Sequence, residues 1–92
     1  MPVFLVSLDL TKNDAHDYQP LWRRLREWRA KQVLYADWFI AGNTTCRAIY
    51  DDLARFIHPS DRLLVLGLTG EGVWGSNRLM IPDDEAKRMF VG

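Results

Sequence analysis

Seven acidic and histidine residues lie in segments that we expect to meet at one edge of the protein. Side chains of these types act as general acids and bases and as metal ligands. They are Asp9, Asp14, His16, Asp17, Asp37, His58 and Asp61. An edge built from loops is acidic with or without a site, because loops are polar in most proteins. Asp9 is the exception, since it continues the alternation of a buried strand, where an unpaired carboxylate is costly.

A second set of side chains could bind phosphate. The first predicted helix carries Arg23, Arg24, Arg26 and Arg29, mostly opposite its apolar residues, and Lys31 follows it. We predict salt-sensitive binding of nucleic acid through Arg23, Arg24, Arg26 and Lys31, because phosphate contacts release counterions. The alternative is that these arginines form the ordinary solvent-exposed face of a helix.

The segment that must position Asp9 is the apolar run after Pro2. Residues 3–10 are rich in Val, Leu and Phe and precede a polar run, which predicts a central strand covered on both faces. Large apolar residues occupy the even positions, which we expect to face the helices: Phe4, Val6, Leu8 and Leu10. The odd positions become polar along the strand and place Asp9 at its exit.

Two helices are predicted from apolar residues at helical spacing. The first begins near Asp17 and has Pro20 in its first turn, where a missing N–H costs nothing. The second begins near Thr44 or Thr45, either of which could cap it. Its apolar stripe includes the single cysteine, Cys46, which we expect to be a small core residue rather than a nucleophile.

Further strands and a final turn complete the pattern. The β-rich run 32–41 predicts a hairpin that divides at Ala36-Asp37. The apolar run 62–69 predicts a second strand buried on both faces. Residues 82–85 have the pattern of a helix N-terminus, and we predict that they lead into a short turn over residues 86–90.

This order predicts an α+β fold of the ferredoxin-like βαββαβ type. Right-handed crossovers would give an antiparallel sheet in the order 4-1-3-2 with both helices on one face. We predict a single domain over residues 1–92, in which residues 70–92 form a C-terminal extension that packs on a dimer partner.

The face of the sheet away from the helices is predicted to be apolar. We expect the first and fourth strands to present Val3, Leu5, Leu63 and Val65 there, with Gly67 allowing a close approach. An uncovered apolar face of this kind marks contact with a partner. The sequence therefore predicts a homodimer through this face.

Composition limits the partners and the compartment. Twelve basic and twelve acidic residues cancel, so the whole chain has no net attraction for nucleic acid or membranes. The single cysteine cannot form an internal disulfide, which fits a reducing compartment. No apolar run approaches the roughly 18 residues of a membrane span. We predict a cytoplasmic protein without membrane contact.

The chain resembles the CRISPR-associated protein two family (Cas-two) over about residues 2–75. The resemblance rests on the strand end Ser7-Leu8-Asp9-Leu10, the arginine-rich first helix, the hairpin 32–41, the amphipathic second helix and the strand 62–68. The chain is also similar to VapD-like toxins and to small SinR-like proteins. In the SinR-like branch a tryptophan recurs in the hairpin and another after the last strand, here Trp38 and Trp74.

The resemblance implies a homodimer whose two Asp9 side chains face each other near the two-fold axis. There they would bind a divalent metal for phosphodiester hydrolysis, and only Asp9 carries over from the family. From the charges alone we further predict that Mg²⁺ or Mn²⁺ would neutralise the pair, with Asp14 or Asp37 as outer ligands. Leu8 replaces the tyrosine that often precedes the aspartate in this family, and Ala36-Asp37 replace a serine and an apolar residue. We therefore predict a homodimeric nucleic-acid-associated adaptor or scaffold that contacts DNA, RNA or a protein partner. The alternative is a metal-dependent endonuclease that uses Asp9.

Overall fold

The computed structural model of the chain describes residues 2–11, 16–69 and 71–91. Its elements in chain order are β1 (Val3–Asp9), α1 (Gln19–Glu27), β2 (Lys31–Leu34), β3 (Asp37–Ala41), α2 (Cys46–Ala54), β4 (Arg62–Leu68) and α3 (Asp83–Val91). In this described part the strands form one antiparallel sheet in the order β2-β3-β1-β4. The predicted α+β class is confirmed, and α3 is a full helix where only a short turn was expected.

The core lies between the sheet and the first two helices. Phe4, Val6 and Leu8 of β1 are buried, as their even positions predicted. They form one cluster with Leu21 and Leu25 of α1, Ile49 and Leu53 of α2, and Trp38 and Ile40 of β3. Because β1 pairs with β3 on one side and β4 on the other, it is the central strand that the apolar run predicted.

Local signals set the helix boundaries. Pro20 lies in the first turn of α1, as predicted. Thr45 is the residue that caps α2, and its hydroxyl oxygen accepts the Ala48 N–H at 3.1 Å. Cys46 is half-buried and packs against the core, which confirms its structural interpretation. The hairpin divides as predicted, with Tyr35 and Ala36 forming the turn.

The prediction that β4 is buried on both faces is wrong. It is an edge strand, and its residues alternate between half-buried and exposed over most of its length. The apolar run alone could not distinguish the two cases, because residues that face an uncovered side of a sheet can be as apolar as core residues. Leu64 is 51 % exposed and Leu66 is 46 % exposed.

The predicted composition of the uncovered face is also wrong in part. The pairing register places Leu66 opposite Leu5 and Leu64 opposite Ser7, so the even residues of β4 share a face with the odd residues of β1. Leu63 and Val65 are on the other side and pack against the core. Here "apolar strip" means Leu5, Leu64 and Leu66. A shift of one residue in register exchanges the two faces, and sequence alone did not fix it.

Residues 71–91 lie against the sheet of their own chain. The Phe90 ring contacts that of Phe39, with centroids 5.5 Å apart, and the Trp74 ring lies 6.3 Å from Phe90. Phe39 is opposite Leu5 on β1, so this contact covers part of the face away from α1 and α2. The Met80 N–H also donates to the Val33 carbonyl at 2.9 Å. Packing of residues 70–92 on a dimer partner stays a prediction.

Candidate functional site

Asp9 lies at the exit of β1, but it is neither buried nor unpaired. Its side chain is 60 % exposed, and its Oδ2 accepts a hydrogen bond from Arg62 Nη1 at 2.8 Å. Arg62 is directly opposite Asp9 in the register of β1 and β4. The expected cost of a buried carboxylate is therefore absent, because this carboxylate is largely exposed and is paired with Arg62.

Of the other two predicted metal ligands, the structure describes Asp37 but not Asp14. Asp37 begins β3 and pairs with Ser7, two residues before Asp9 along β1. Asp14 lies outside the described residues. Among the described residues, no group of three or more His, Cys, Asp or Glu side chains could hold a metal ion. A Mg²⁺ or Mn²⁺ site at Asp9, Asp14 and Asp37 stays a prediction.

Asp61 is the carboxylate that organises the predicted edge. It accepts hydrogen bonds from the Tyr18 hydroxyl at 2.6 Å, the Thr11 N–H at 2.7 Å and the His58 N–H at 2.8 Å. Burial acts to raise the pKa of this carboxyl, but the hydrogen bonds from Tyr18, Thr11 and His58 outweigh it and lower the pKa from 3.8 to about 2. Asp61 therefore joins the chain after β1 to the start of α1 and to the loop before β4.

The two histidines belong to the same edge and have local partners. His16 Nε2 lies 3.2 Å from the Phe56 carbonyl oxygen, which requires the proton on that nitrogen for a hydrogen bond. His58 Nδ1 accepts the Ser60 N–H at 3.1 Å. The two imidazole rings are 5.9 Å apart, edge to face. These contacts hold the loop that follows α2.

Two of the four predicted nucleic-acid-binding cations have carboxylate partners inside the chain. Arg24 donates from Nε to Asp52 at 2.6 Å, and this hydrogen bond raises the pKa of the guanidinium. Lys31 Nζ lies 3.5 Å from Glu85 of α3. Their charges are therefore already matched in the folded protein.

Asp52 was not recognised in the sequence, although it joins α1 to α2. Besides Arg24, it accepts the Trp28 indole N–H at 2.7 Å and pairs with Arg55. Burial acts to raise the pKa of its carboxyl, but the hydrogen bonds from Arg24, Trp28 and Arg55 lower it overall. The available signal was an acidic residue beside the apolar stripe of one helix, with arginine and tryptophan on the other.

Arg23 and Arg26 are the predicted cations that remain available. Both are exposed and lie one turn apart on α1. Within residues 2–11, 16–69 and 71–91 neither is paired with a carboxylate. Their two positive charges lie on one side of the helix, and no carboxylate of the described residues matches them.

Arg26 also borders a groove of about 660 Å³ between α1 and the β2–β3 hairpin. We call it the aromatic groove, because Trp22, Tyr35 and Trp38 line it together with Arg26 and Gln32. The Trp22 and Trp38 rings are stacked, with centroids 5.9 Å apart and planes inclined at 27°. Tyr35, in the hairpin turn, is 89 % exposed. Sequence analysis did not identify this groove.

Comparison with known proteins adds no assignment. No protein-family model matches the chain, and no solved structure matches it significantly. In the part of the chain that the structure describes, no helix is long and apolar enough to cross a membrane.

Proposed function

We propose that the protein is a cytoplasmic, homodimeric adaptor with a ferredoxin-like, Cas-two-like domain, and that it holds nucleic acid on the outer surface of α1. The observation that carries this proposal is the pair of exposed arginines, Arg23 and Arg26, whose charges no carboxylate of the described residues matches. Arginine binds phosphate oxygens through a planar fork of donors, so such a pair suits a phosphate backbone.

The homodimer is supported by the apolar strip. Leu64 and Leu66 leave about half of their surface exposed on a seven-residue edge strand. This face is opposite the one that carries α1, because the residues facing α1 and α2 are the even positions of β1. A second copy that covers the strip would leave both α1 surfaces open and would double the number of available arginines.

The ion pair between Asp9 and Arg62 favours an adaptor over a metal-dependent endonuclease. The carboxylate of Asp9 is paired with Arg62, and a divalent cation would have to displace that guanidinium. Like charges repel at such short range, so the pair disfavours a cation at Asp9 in the single chain. Binding of phosphate by Arg23 and Arg26 would require no displacement of this kind.

The proposal is tested by replacing the two arginines together. The double variant Arg23→Ala, Arg26→Ala removes two phosphate contacts per protomer, so the log–log dependence of duplex DNA affinity on salt should become shallower by about 1.8 per protomer engaged. Fluorescence anisotropy of a labelled duplex at several salt concentrations measures this slope.

The matched control is Arg47→Ala, Arg88→Ala, which removes the same charge. Both control arginines are exposed and pair with an acidic residue four positions away, Asp51 and Asp84 respectively. We expect this variant to bind with nearly the parental salt slope. Equal loss in both double variants would mean that only net charge matters, and unchanged binding in the α1 variant would exclude the proposed surface.

A further inference from the structure

The aromatic groove lies directly beside the exposed arginines Arg23 and Arg26 of α1. Arg26 belongs to both surfaces, since it lies one turn from Arg23 on α1 and also lines the groove. A polymer whose phosphates contact Arg23 and Arg26 would therefore pass the mouth of the groove. The proposed phosphate contacts do not use the aromatic residues there.

We propose that the aromatic groove binds an unpaired nucleobase, so that the protein prefers single-stranded nucleic acid to a duplex. This inference rests on the proposed nucleic-acid function and names the form of nucleic acid that the surface takes. It is carried by the combination of aromatic rings, amide groups and one unmatched cation in a single open groove.

The rings provide a stacking surface. Trp22 is half-buried and stacks on the ring of the buried Trp38, while Tyr35 is 89 % exposed. Every base has an aromatic face, so stacking of this kind accepts any sequence. The backbone of Tyr35 lies in the turn between two paired strands, so binding would have to order only its side chain.

The polar groups of the groove suit the edge of a base. Gln32 donates from Nε2 to the Tyr35 carbonyl at 3.0 Å, which fixes the amide and leaves its oxygen without a partner among the described residues. Gln19 offers a second amide at the same groove. An amide carries both donors and acceptors, as base edges do, so these two side chains can hydrogen-bond a base.

The charge and the volume of the aromatic groove also fit an unpaired nucleobase. Asp9 borders the groove, but Arg62 pairs with its carboxylate, and among the described residues no carboxylate pairs with Arg26. A volume of about 660 Å³ lies within the range of small-ligand sites, roughly 300–1,000 Å³, and is ample for a base with its sugar. Bases within a duplex are stacked and paired and cannot enter without an unpairing cost.

The first experiment compares strands and a groove variant. Labelled oligothymidylate, oligouridylate and a duplex of equal length are titrated by anisotropy against the parent, Tyr35→Ala and the control Tyr50→Ala. Tyr50 is an exposed tyrosine of α2 that does not line the groove. Loss of one stacking partner should weaken binding of either single strand by about tenfold in Tyr35→Ala and leave duplex binding and Tyr50→Ala near the parental values.

The second experiment needs no phosphate contact. Thymidine or uridine at millimolar concentration is added to ¹⁵N-labelled protein, and the four indole N–H signals are followed by NMR. We expect the Trp22 and Trp38 signals to shift. The signals of Trp28, which binds Asp52, and of Trp74, which packs near Phe90, should stay unchanged as internal controls.

The outcomes separate the two proposals. If the arginine double variant loses binding but Tyr35→Ala does not, and nucleosides shift no indole signal, the groove inference is wrong and the adaptor proposal stands. If the parent binds no strand yet nucleosides shift Trp22 and Trp38, the groove binds bases and the adaptor proposal fails. Equal binding of duplex and single strands would also overturn the inferred preference.

Discussion

At the scale of single residues, Asp61 is the side chain on which the local structure most depends. One carboxylate satisfies donors from three segments: Thr11, Tyr18 and His58. These contacts favour its charged form, so the pKa of Asp61 in the folded protein, about 2, lies below its ordinary value of 3.8. A lowered pKa in the folded state stabilises the protein above the ordinary pKa. That contribution is lost as the pH falls from 3.8 towards about 2.

The first prediction concerns Asp61→Asn. The carboxylate of Asp61 accepts hydrogen bonds through both of its oxygens, whereas an asparagine has an NH₂ group in place of one of them. That NH₂ group would face the former donors, so we expect the unfolding free energy near neutral pH to fall by about 1–3 kcal/mol. The variant should also lose stability less steeply than the parent between pH 3.8 and about 2, because the titrating group is gone. Urea unfolding at neutral pH measures the first effect, and urea unfolding between pH 3.8 and about 2 measures the second.

The control for this prediction is Asp51→Asn, which removes an exposed acid that contacts only Arg47 among the described residues. We expect it to change the unfolding free energy by no more than about 0.5 kcal/mol. If the unfolding free energy of Asp61→Asn depends on pH in the same way as that of the parent, the hydrogen bonds at Asp61 do not determine the stability of the protein in acid.

At the scale of elements, the end of α1 contains a residue under backbone strain. Arg29 has φ 58°, in the left-handed region that favours glycine. Around it the Arg29 N–H donates to the Arg26 carbonyl and the Ala30 N–H donates to the Leu25 carbonyl, both at 2.9 Å. This pairing closes the helix C-terminus as a Schellman motif.

The second prediction follows from this strain. Arg29→Gly should raise the unfolding free energy by about 0.5–1 kcal/mol, because glycine adopts this conformation without the clash of a Cβ atom. The matched control is Arg23→Gly within α1, which should lower the unfolding free energy by about 1 kcal/mol. Thermal melting of both variants tests the difference. A loss of stability in Arg29→Gly as large as that in Arg23→Gly would contradict it.

Much of the element pattern could be predicted because each signal was local. Thr45 caps α2 and Pro20 lies in the first turn of α1, and each of these signals acts within a single helical turn. The face of β4 could not be predicted, because it depends on register against β1 and both faces of that strand carry leucine. The partners of Asp9 and Asp52 could not be predicted either, since Arg62 and Arg24 are distant in sequence and meet them only in the fold.

The aromatic groove shows the same limit at the candidate site. Trp38 is buried in the core, and Trp22 packs against it. Their stacking and the groove that they line arise from the packing of α1 against the sheet and the hairpin. This packing brings together residues that are distant in the sequence, so no local spacing predicts it.

At the scale of the whole molecule, the proposed homodimer would form through the apolar strip. The third prediction is that Leu66→Asp produces a folded monomer. Leu66 is 46 % exposed in the single chain, so an aspartate there can remain hydrated and should cost the protomer little stability. In a dimer through this face the same carboxylate would be buried without a partner, at a cost of several kcal/mol, which lowers the association constant more than a hundredfold.

Two comparison variants make this test specific to the strip. Val73→Asp places the same charge at a fully exposed position outside the sheet and should leave the sedimentation mass unchanged. Val65→Asp, one residue from Leu66 but packed against the core, should unfold the protomer, as its circular dichroism spectrum would show. A folded Leu66→Asp variant that sediments with the mass of a parental dimer would exclude the strip as the interface. A parent that sediments as a monomer at every concentration would exclude the homodimer itself.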